Sequence, residues 1–283
     1  MTQKRTPKEN SMLDRGSLQK PKQAPVALAL VTLMFISLLA PMSSADTLTQ
    51  VALDSLIAEI DDRQRNSGDW KAQAYLEQKE KGKNDTVYDA VFYRRDADDK
   101  LMILFLKPKS ERGKGYLRMD KNLWFYDPRV GKWERRTERE RIGGTDSNRA
   151  DFDESRLSEE YDAKFIGESK LGKFKVWKIT LTAKSGVDVA YPTLKLWVDQ
   201  STKNILKQQE LAASGKLMRT SYYPKWKKIM SESKGAEVWF PEQIRIFDEI
   251  EKGNRTTIFM KRVDLSKLPR SIFTKAWLES KSR

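Results

Sequence analysis

Residues 121–136 read KNLWFYDPRVGKWERR, with Trp124, Phe125 and Tyr126 in a row, a turn at Asp127-Pro128, and a basic return through Trp133 to Arg135 and Arg136. Such a stretch fits a nucleic-acid platform, a catalytic cleft, a membrane-surface patch or one corner of an apolar container. Strand geometry narrows the choice. Residues 122–126 and 132–137 predict two paired strands joined through residues 127–131, and neighbouring residues on a strand point to opposite faces. Trp124 therefore faces away from Leu123 and Phe125, and the three rings cannot form one stacking platform. Arg135 and Arg136 diverge in the same way, so the cations rim a sheet and need not form a site.

Short strand-like runs continue on both sides of this hairpin. They cover residues 70–80, 86–95, 101–106, 114–119, 173–183, 194–198, 205–211, 217–223, 238–246 and 256–263. Turn residues separate many of them: Lys81-Gly82-Lys83-Asn84-Asp85, Asp96-Ala97-Asp98-Asp99, Ser214-Gly215, Lys234-Gly235 and Lys252-Gly253-Asn254. Many short strands joined by tight turns predict a large antiparallel sheet that curls toward a barrel. Two helices flank it. Residues 47–65 carry Leu53, Leu56, Ile57 and Ile60 at helical spacing behind a capping Thr47, and residues 270–281 place Ile272, Phe273, Trp277 and Leu278 on one side. No Pro-, Gly- or Ser-rich linker and no internal repeat divides the chain, so residues 46–283 are expected to form one domain.

One strand stands out. Residues 101–106 read LMILFL and do not alternate, so both of their faces are covered. The N-terminal helix is one candidate cover. The other side meets either a second layer or an internal cavity.

The first 45 residues read as an export signal. Lys4, Arg5, Lys8, Arg15, Lys20 and Lys22 make an extended basic region, Val26 to Ala40 an apolar run, and Ser43-Ser44-Ala45 a small-residue cleavage site after Ala45. The run has 15 residues, against about 20 for a spanning helix. The other reading of the same run is an uncleaved signal anchor. Either way the remainder is expected outside the cytosol. The whole chain carries a net charge of +14, and residues 1–45 hold six cations and two anions, which leaves +10 on the exported part. A basic exported protein points to anionic membrane surfaces or acidic partners. The cations are interleaved with acids along the sequence, the usual pattern of a solvated surface. No RNA- or DNA-binding motif occurs.

Catalytic chemistry is poorly supplied. The chain has no Cys and no His, which removes disulfides, thiolate nucleophiles, the commonest general base and the commonest metal ligand. There is no G-x-S-x-G and no P-loop. Asp151, Asp153, Ser155, Leu157, Glu159 and Asp162 fall at calcium-loop spacing, but Arg156 stands where that loop needs Gly and Asp162 where it needs Glu. The segment reads instead as a short acidic helix or surface loop. No cofactor, metal or catalysis is expected, and the wealth of Trp, Tyr, Phe and Met on strands points to an apolar ligand.

Taken in order, these features resemble a known family. An export signal and a helix precede LMILFLKPKSERGKGYLRMDKNLWFYDPRVGKWERR, then RIGGTDSNRADFDESRLSEEYD, then LKLWVDQSTKNILKQQ. The chain resembles the periplasmic outer membrane lipoprotein-sorting protein family, which is LolA-like. The resemblance implies an unclosed antiparallel β-barrel, covered by helices, whose concave face binds acyl chains of lipoproteins or lipids. It further implies an accessory place beside inner-membrane exporters of the resistance-nodulation-division type. None of the lipoprotein chaperone's functional residues is carried over.

Strand position then selects cavity candidates: Leu101, Ile103, Phe105, Leu117, Met119, Trp124, Tyr126, Leu194, Leu196 and Trp197, the last lying on the opposite strand face from Leu196. The expected protein is a monomeric periplasmic carrier for lipoprotein acyl chains or lipid. The competing expectation is an accessory or sensor protein that docks on an exporter or a partner peptide, with its cavity plugged by its own helix.

Overall fold

The computed structural model describes residues 48–65, 68–119, 122–137, 140–152 and 155–282; the export-signal reading lies outside them. All the elements named below belong to one unit, Ala45–Arg283. Its frame is a thirteen-stranded antiparallel sheet that does not close, in the order β6-β5-β4-β3-β2-β1-β13-β12-β11-β10-β9-β8-β7. The strands are β1 Trp70–Lys79, β2 Thr86–Arg95, β3 Lys100–Lys107, β4 Gly115–Met119, β5 Asn122–Asp127, β6 Lys132–Arg136, β7 Tyr161–Leu171, β8 Phe174–Ala183, β9 Thr193–Asp199, β10 Ile205–Leu211, β11 Leu217–Ser231, β12 Ala236–Asp248 and β13 Arg255–Asp264. Every pairing but one joins sequence neighbours; β1 pairs with β13 and so brings the two halves of the chain into one wall.

The opening stretch forms the predicted hairpin. Trp124 pairs with Arg135 and Tyr126 with Trp133, whose rings lie 5.0 Å apart. Gly131 closes the turn at φ 68°, a conformation that costs glycine little, and its N–H donates to the Asp127 carbonyl at 2.9 Å.

Among the described residues three helices complete the unit: α1 Gln50–Arg65, α2 Leu157–Glu160 and α3 Lys275–Lys281. The Ala52 N–H donates to Thr49 Oγ1 at 3.3 Å, so Thr49, inside the described residues, caps α1 where Thr47 was predicted to. The C-terminal helix is shorter than its apolar pattern suggests. Residues 270–272 form a single 3₁₀ turn and Thr274 then caps α3, accepting the Trp277 N–H at 3.2 Å. The acidic segment supplies a 3₁₀ turn at residues 149–152 and α2.

Two strands exceed their sequence signal. β7 was not predicted: its exposed alternate positions carry Asp162, Lys164, Ile166, Glu168 and Lys170, which leaves only a weak apolar period on an edge strand. β11 runs on to Ser231 through Pro224 and three lysines, past register shifts at Tyr222 and Lys225 that bend it.

Packing divides into three clusters. Leu101, Ile103 and Phe105 belong to an inner cluster with Phe92, Tyr116, Leu123, Ile142 and Phe152. Met102 and Leu104 face outward, under Phe273 and Leu278. β3 is thus covered on both sides as expected, but by the C-terminal segment and by the loop that holds Ile142 and Phe152. α1 lies elsewhere: Leu53, Leu56, Ile57 and Ile60 pack on Ile179, Leu181, Leu194 and Leu196 of β8 and β9.

A roofed cavity on the inner face

Between the inner face of the sheet and the α1–α2 roof lies a cavity of about 670 Å³. Its wall comes from Leu194, Gln208 and Glu210, from Tyr223 and Trp226 of β11, and from Trp239, Phe240, Pro241 and Ile244 of β12. Trp70 and Met260 continue the wall, and Ile60 of α1, Phe152, Leu157 and Tyr191 close it from above. The apolar part of the wall arises because strand alternation sends Leu194, Ile244 and Met260 inward while Lys195, Arg245 and Lys261 point out.

The roof is tied down by buried polar contacts. Asp61 of α1 accepts the backbone N–H groups of Leu157 and Ser158 at 2.9 and 2.6 Å and the hydroxyls of Ser155 and Ser158 at 2.5 and 2.6 Å. Asp61 therefore caps the N-terminus of α2 from another helix, where Arg156 at the N-cap position makes no side-chain cap of its own. The 3₁₀ turn before α2 is held twice. Arg219 Nη2 donates to both Asp151 carboxylate oxygens, at 2.7 and 2.8 Å, and Arg94 Nη1 donates to the Phe152 carbonyl.

Each of these arginines sits in an acidic setting. Arg219 also pairs with Glu210 at 3.1 Å, and both side chains are more than nine-tenths buried. Burial works against the Arg219 charge, but Asp151 and Glu210 outweigh it and hold its pKa above the usual arginine value. Burial pushes the Glu210 carboxyl up; Arg219 opposes this and Asp151 adds to it. At the rim, Arg94 Nε meets Asp96 at 2.6 Å, and Arg118 grips Asp99 through both terminal nitrogens, at 2.7 and 2.5 Å. Burial also raises Tyr223 and Tyr161, so both phenols stay neutral. Many of the charged groups around the cavity are thus paired with one another. Among the described residues no cluster of carboxylates could hold a metal ion.

The ten sequence-selected residues are distributed over both faces of the sheet. Leu194 lines the cavity, and Leu196 packs beneath α1 in the same inner cluster. Leu101, Ile103 and Phe105 face inward but are closed over by Ile142, Phe152 and their neighbours. Leu117, Met119 and Tyr126 belong to the outer cluster around α3, and Trp124 lies there too, with Lys275 Nζ 4.0 Å from its ring centre. Trp197 faces outward, stacked under Lys207. The split follows from pairing: Leu117 opposes Met102 and Trp124, which puts the three on one face, while Ile103 opposes Tyr116 on the other. The candidates missed were Tyr223, Trp226, Trp239, Phe240 and Ile244, together with the Arg219–Glu210 pair. A charged residue at an inward strand position, as at Glu210 among QQEL, was the one available signal.

An open antiparallel sheet with helices packed against its two faces is the LolA-like fold. Solved structures share it. A LolA superfamily protein from Nitrosomonas europaea aligns over 79% of this chain and 97% of its own at 21% identity and a TM-score of 0.64. A DUF1329 family protein from Desulfovibrio piger covers 81% and 98% at 21% identity and a TM-score of 0.71. A domain described as an outer membrane lipoprotein-sorting protein, from Vibrio parahaemolyticus, covers 80% and 97% at 16% identity and a TM-score of 0.69. No curated protein matches the sequence. A family model described as "Uncharacterized protein" matches residues 97–280, and the chain belongs to that family.

Proposed function

We propose that this protein is an exported carrier for an acylated ligand, either lipoprotein acyl chains or a lipid, held in the cavity between the inner sheet face and the α1–α2 roof. The observation that carries this reading is the space itself. A cavity of about 670 Å³ remains under the roof, within the roughly 300–1,000 Å³ of known ligand pockets. Its sheet side is largely aromatic and aliphatic, while charged side chains such as Arg94, Arg118, Asp151 and Arg156 also line it; each CH₂ taken from water onto the apolar part contributes about 0.8 kcal/mol. Leu194, Tyr223, Ile244 and Met260 are the residues assigned to contact the chain. In this reading residues 1–45 are the export signal, residues 46–283 the single functional domain, and the periplasm the working compartment.

The carrier needs no catalytic group. Arg219, Glu210 and Asp151 serve it by fixing the roof. The competing role, an accessory or sensor protein docked on an exporter with its cavity plugged, requires α1 to fill the space. Instead Ile60 and Arg63 of α1 border it, which favours the carrier.

Native mass spectrometry of protein purified from its own periplasm tests the proposal. Bound lipid or acyl mass is expected, as is uptake of a fluorescent fatty acyl probe by the delipidated protein. The absence of both bound lipid and probe uptake would overturn it.

A further inference from the structure

The outer face of the sheet, opposite the cavity, carries an ordered basic and aromatic surface. Across five adjacent strands, β8 to β12, Lys178, Trp197, Lys207, Tyr222 and Arg245 oppose one another in register, giving one continuous row on one face. Lys207 Nζ lies 4.3 Å from the Trp197 ring centre and 5.4 Å from that of Tyr222. A second row runs beside it: Lys195 opposes Gln209, Gln209 opposes Thr220, Thr220 opposes Phe247 and Phe247 opposes Arg255. The two rows meet where Phe247 packs edge-on against Tyr222, 5.7 Å away.

Neither row contains a carboxylate across these strands, and none of the five cations forms an ion pair among the described residues. On other parts of the surface several cations are paired. Arg63 pairs with Glu59, Lys79 with Asp85, Lys114 with Glu111, and Arg136 with Glu134 and Glu140. The interleaving of acids and bases seen along the sequence therefore does not hold on this face. Folding sorts the charge, because alternation turns Glu210, the carboxylate of β10, inward.

We infer that this face docks on an anionic phospholipid surface. Cations left without carboxylate partners next to half-exposed Trp and Tyr rings match a bilayer interface. There phosphates take the Lys and Arg charges, and amphipathic rings settle among the head groups. An acidic protein would need shape complementarity to a surface of unpaired lysine and arginine side chains; a fluid layer of head groups does not. The docked protein keeps its cavity on the far side of the sheet, so membrane binding and acyl binding use separate residues and are separately testable.

Residues 46–283 contain every element named above and serve as the test protein. Co-sedimentation is measured with vesicles of phosphatidylcholine alone and of phosphatidylcholine mixed with phosphatidylglycerol. Binding is expected only to the anionic vesicles, weakening as salt rises. A basic side chain near an anionic surface contributes about a factor of five, so the K195Q/K207Q/R245Q variant is expected to lose roughly 100-fold in partitioning. It should keep its circular dichroism spectrum and its acyl-probe affinity. A control, K81Q/K109Q/K132Q, removes the same charge from other exposed positions and is expected to bind nearly as the unaltered protein does. Equal binding to neutral vesicles, binding to neither vesicle, or an equal loss in the control would overturn the inference.

Discussion

The Asp61 carboxylate on α1 accepts the Ser158 backbone N–H on α2 at 2.6 Å and is itself only 3% exposed. One side chain therefore joins the two roof helices. Replacing it with Ala strands the donors of Ser155, Leu157 and Ser158 in a buried site. N-cap loss and unmet buried donors each cost about 1–2 kcal/mol, so Asp61→Ala should lower unfolding stability by about 2 kcal/mol. Asp61→Asn, which retains one acceptor oxygen, should lose less. Hydrogen exchange should show residues 155–160 opening first, and uniform protection across both variants would disprove the joint.

The buried Arg219 pair gives a pH prediction. Burial raises the Glu210 carboxyl above its ordinary range, so the folded protein binds that proton more tightly than the unfolded chain does. The stability contributed by Glu210 is complete below the ordinary carboxyl range and declines as pH rises through the raised value. Urea unfolding across mildly acidic to neutral pH should show this slope, and Glu210→Gln should flatten it. Parallel profiles in the two proteins would assign the slope to other groups. Arg219→Met leaves Asp151 and Glu210 uncompensated and should cost about 3–5 kcal/mol. Adding Glu210→Gln should recover part of that loss.

Much of the architecture was legible in the sequence because it rests on period and punctuation. The hairpin at residues 122–136, the doubly covered β3 and the α1 stripe all follow from local alternation or helical spacing. The cavity was less legible for a physical reason. Leu117 and Trp124 look like good pocket residues from their type, yet they share the face of Met102 on the α3 side. Which strand phase faces inward is set by which helix covers which face, and that is a long-range fact. Trp226 escaped for another reason: Pro224 and the lysines of β11 mask the strand signal beyond residue 223, whereas Phe240 lies in a predicted strand whose inward phase was not selected.

The two faces can be separated by experiment. Leu194 lines the cavity and Leu117 lies on the outer side. Leu194→Trp should fill space and deny the acyl chain contact with two or more CH₂ groups. At about 0.8 kcal/mol each, that weakens a fluorescent acyl probe roughly tenfold or more, for an overpacking cost of about 1–3 kcal/mol in stability. Leu117→Ala should show the reverse: a loss of about 2–5 kcal/mol in stability with probe affinity unchanged. Probe affinity that follows Leu117 and ignores Leu194 would place the ligand on the α3 side.

The docking of α3 depends on the absence of a side chain at Gly115. A Cβ built there would lie 2.5 Å from the Ile103 carbonyl oxygen and 2.8 Å from Leu278 Cδ1. The first neighbour is backbone within the sheet and the second is the buried anchor of α3, so neither can move without breaking a contact. Gly115→Ala should therefore displace α3 and expose Leu278 and Phe273, at a cost of about 1–3 kcal/mol. Hydrogen exchange at residues 275–281 should accelerate while α1 and the cavity roof stay protected, and acyl-probe binding should persist. Unchanged protection at α3 would mean that Trp133, which donates to Glu279 at 2.6 Å, and the Lys275 stack hold the helix without the close approach at Gly115.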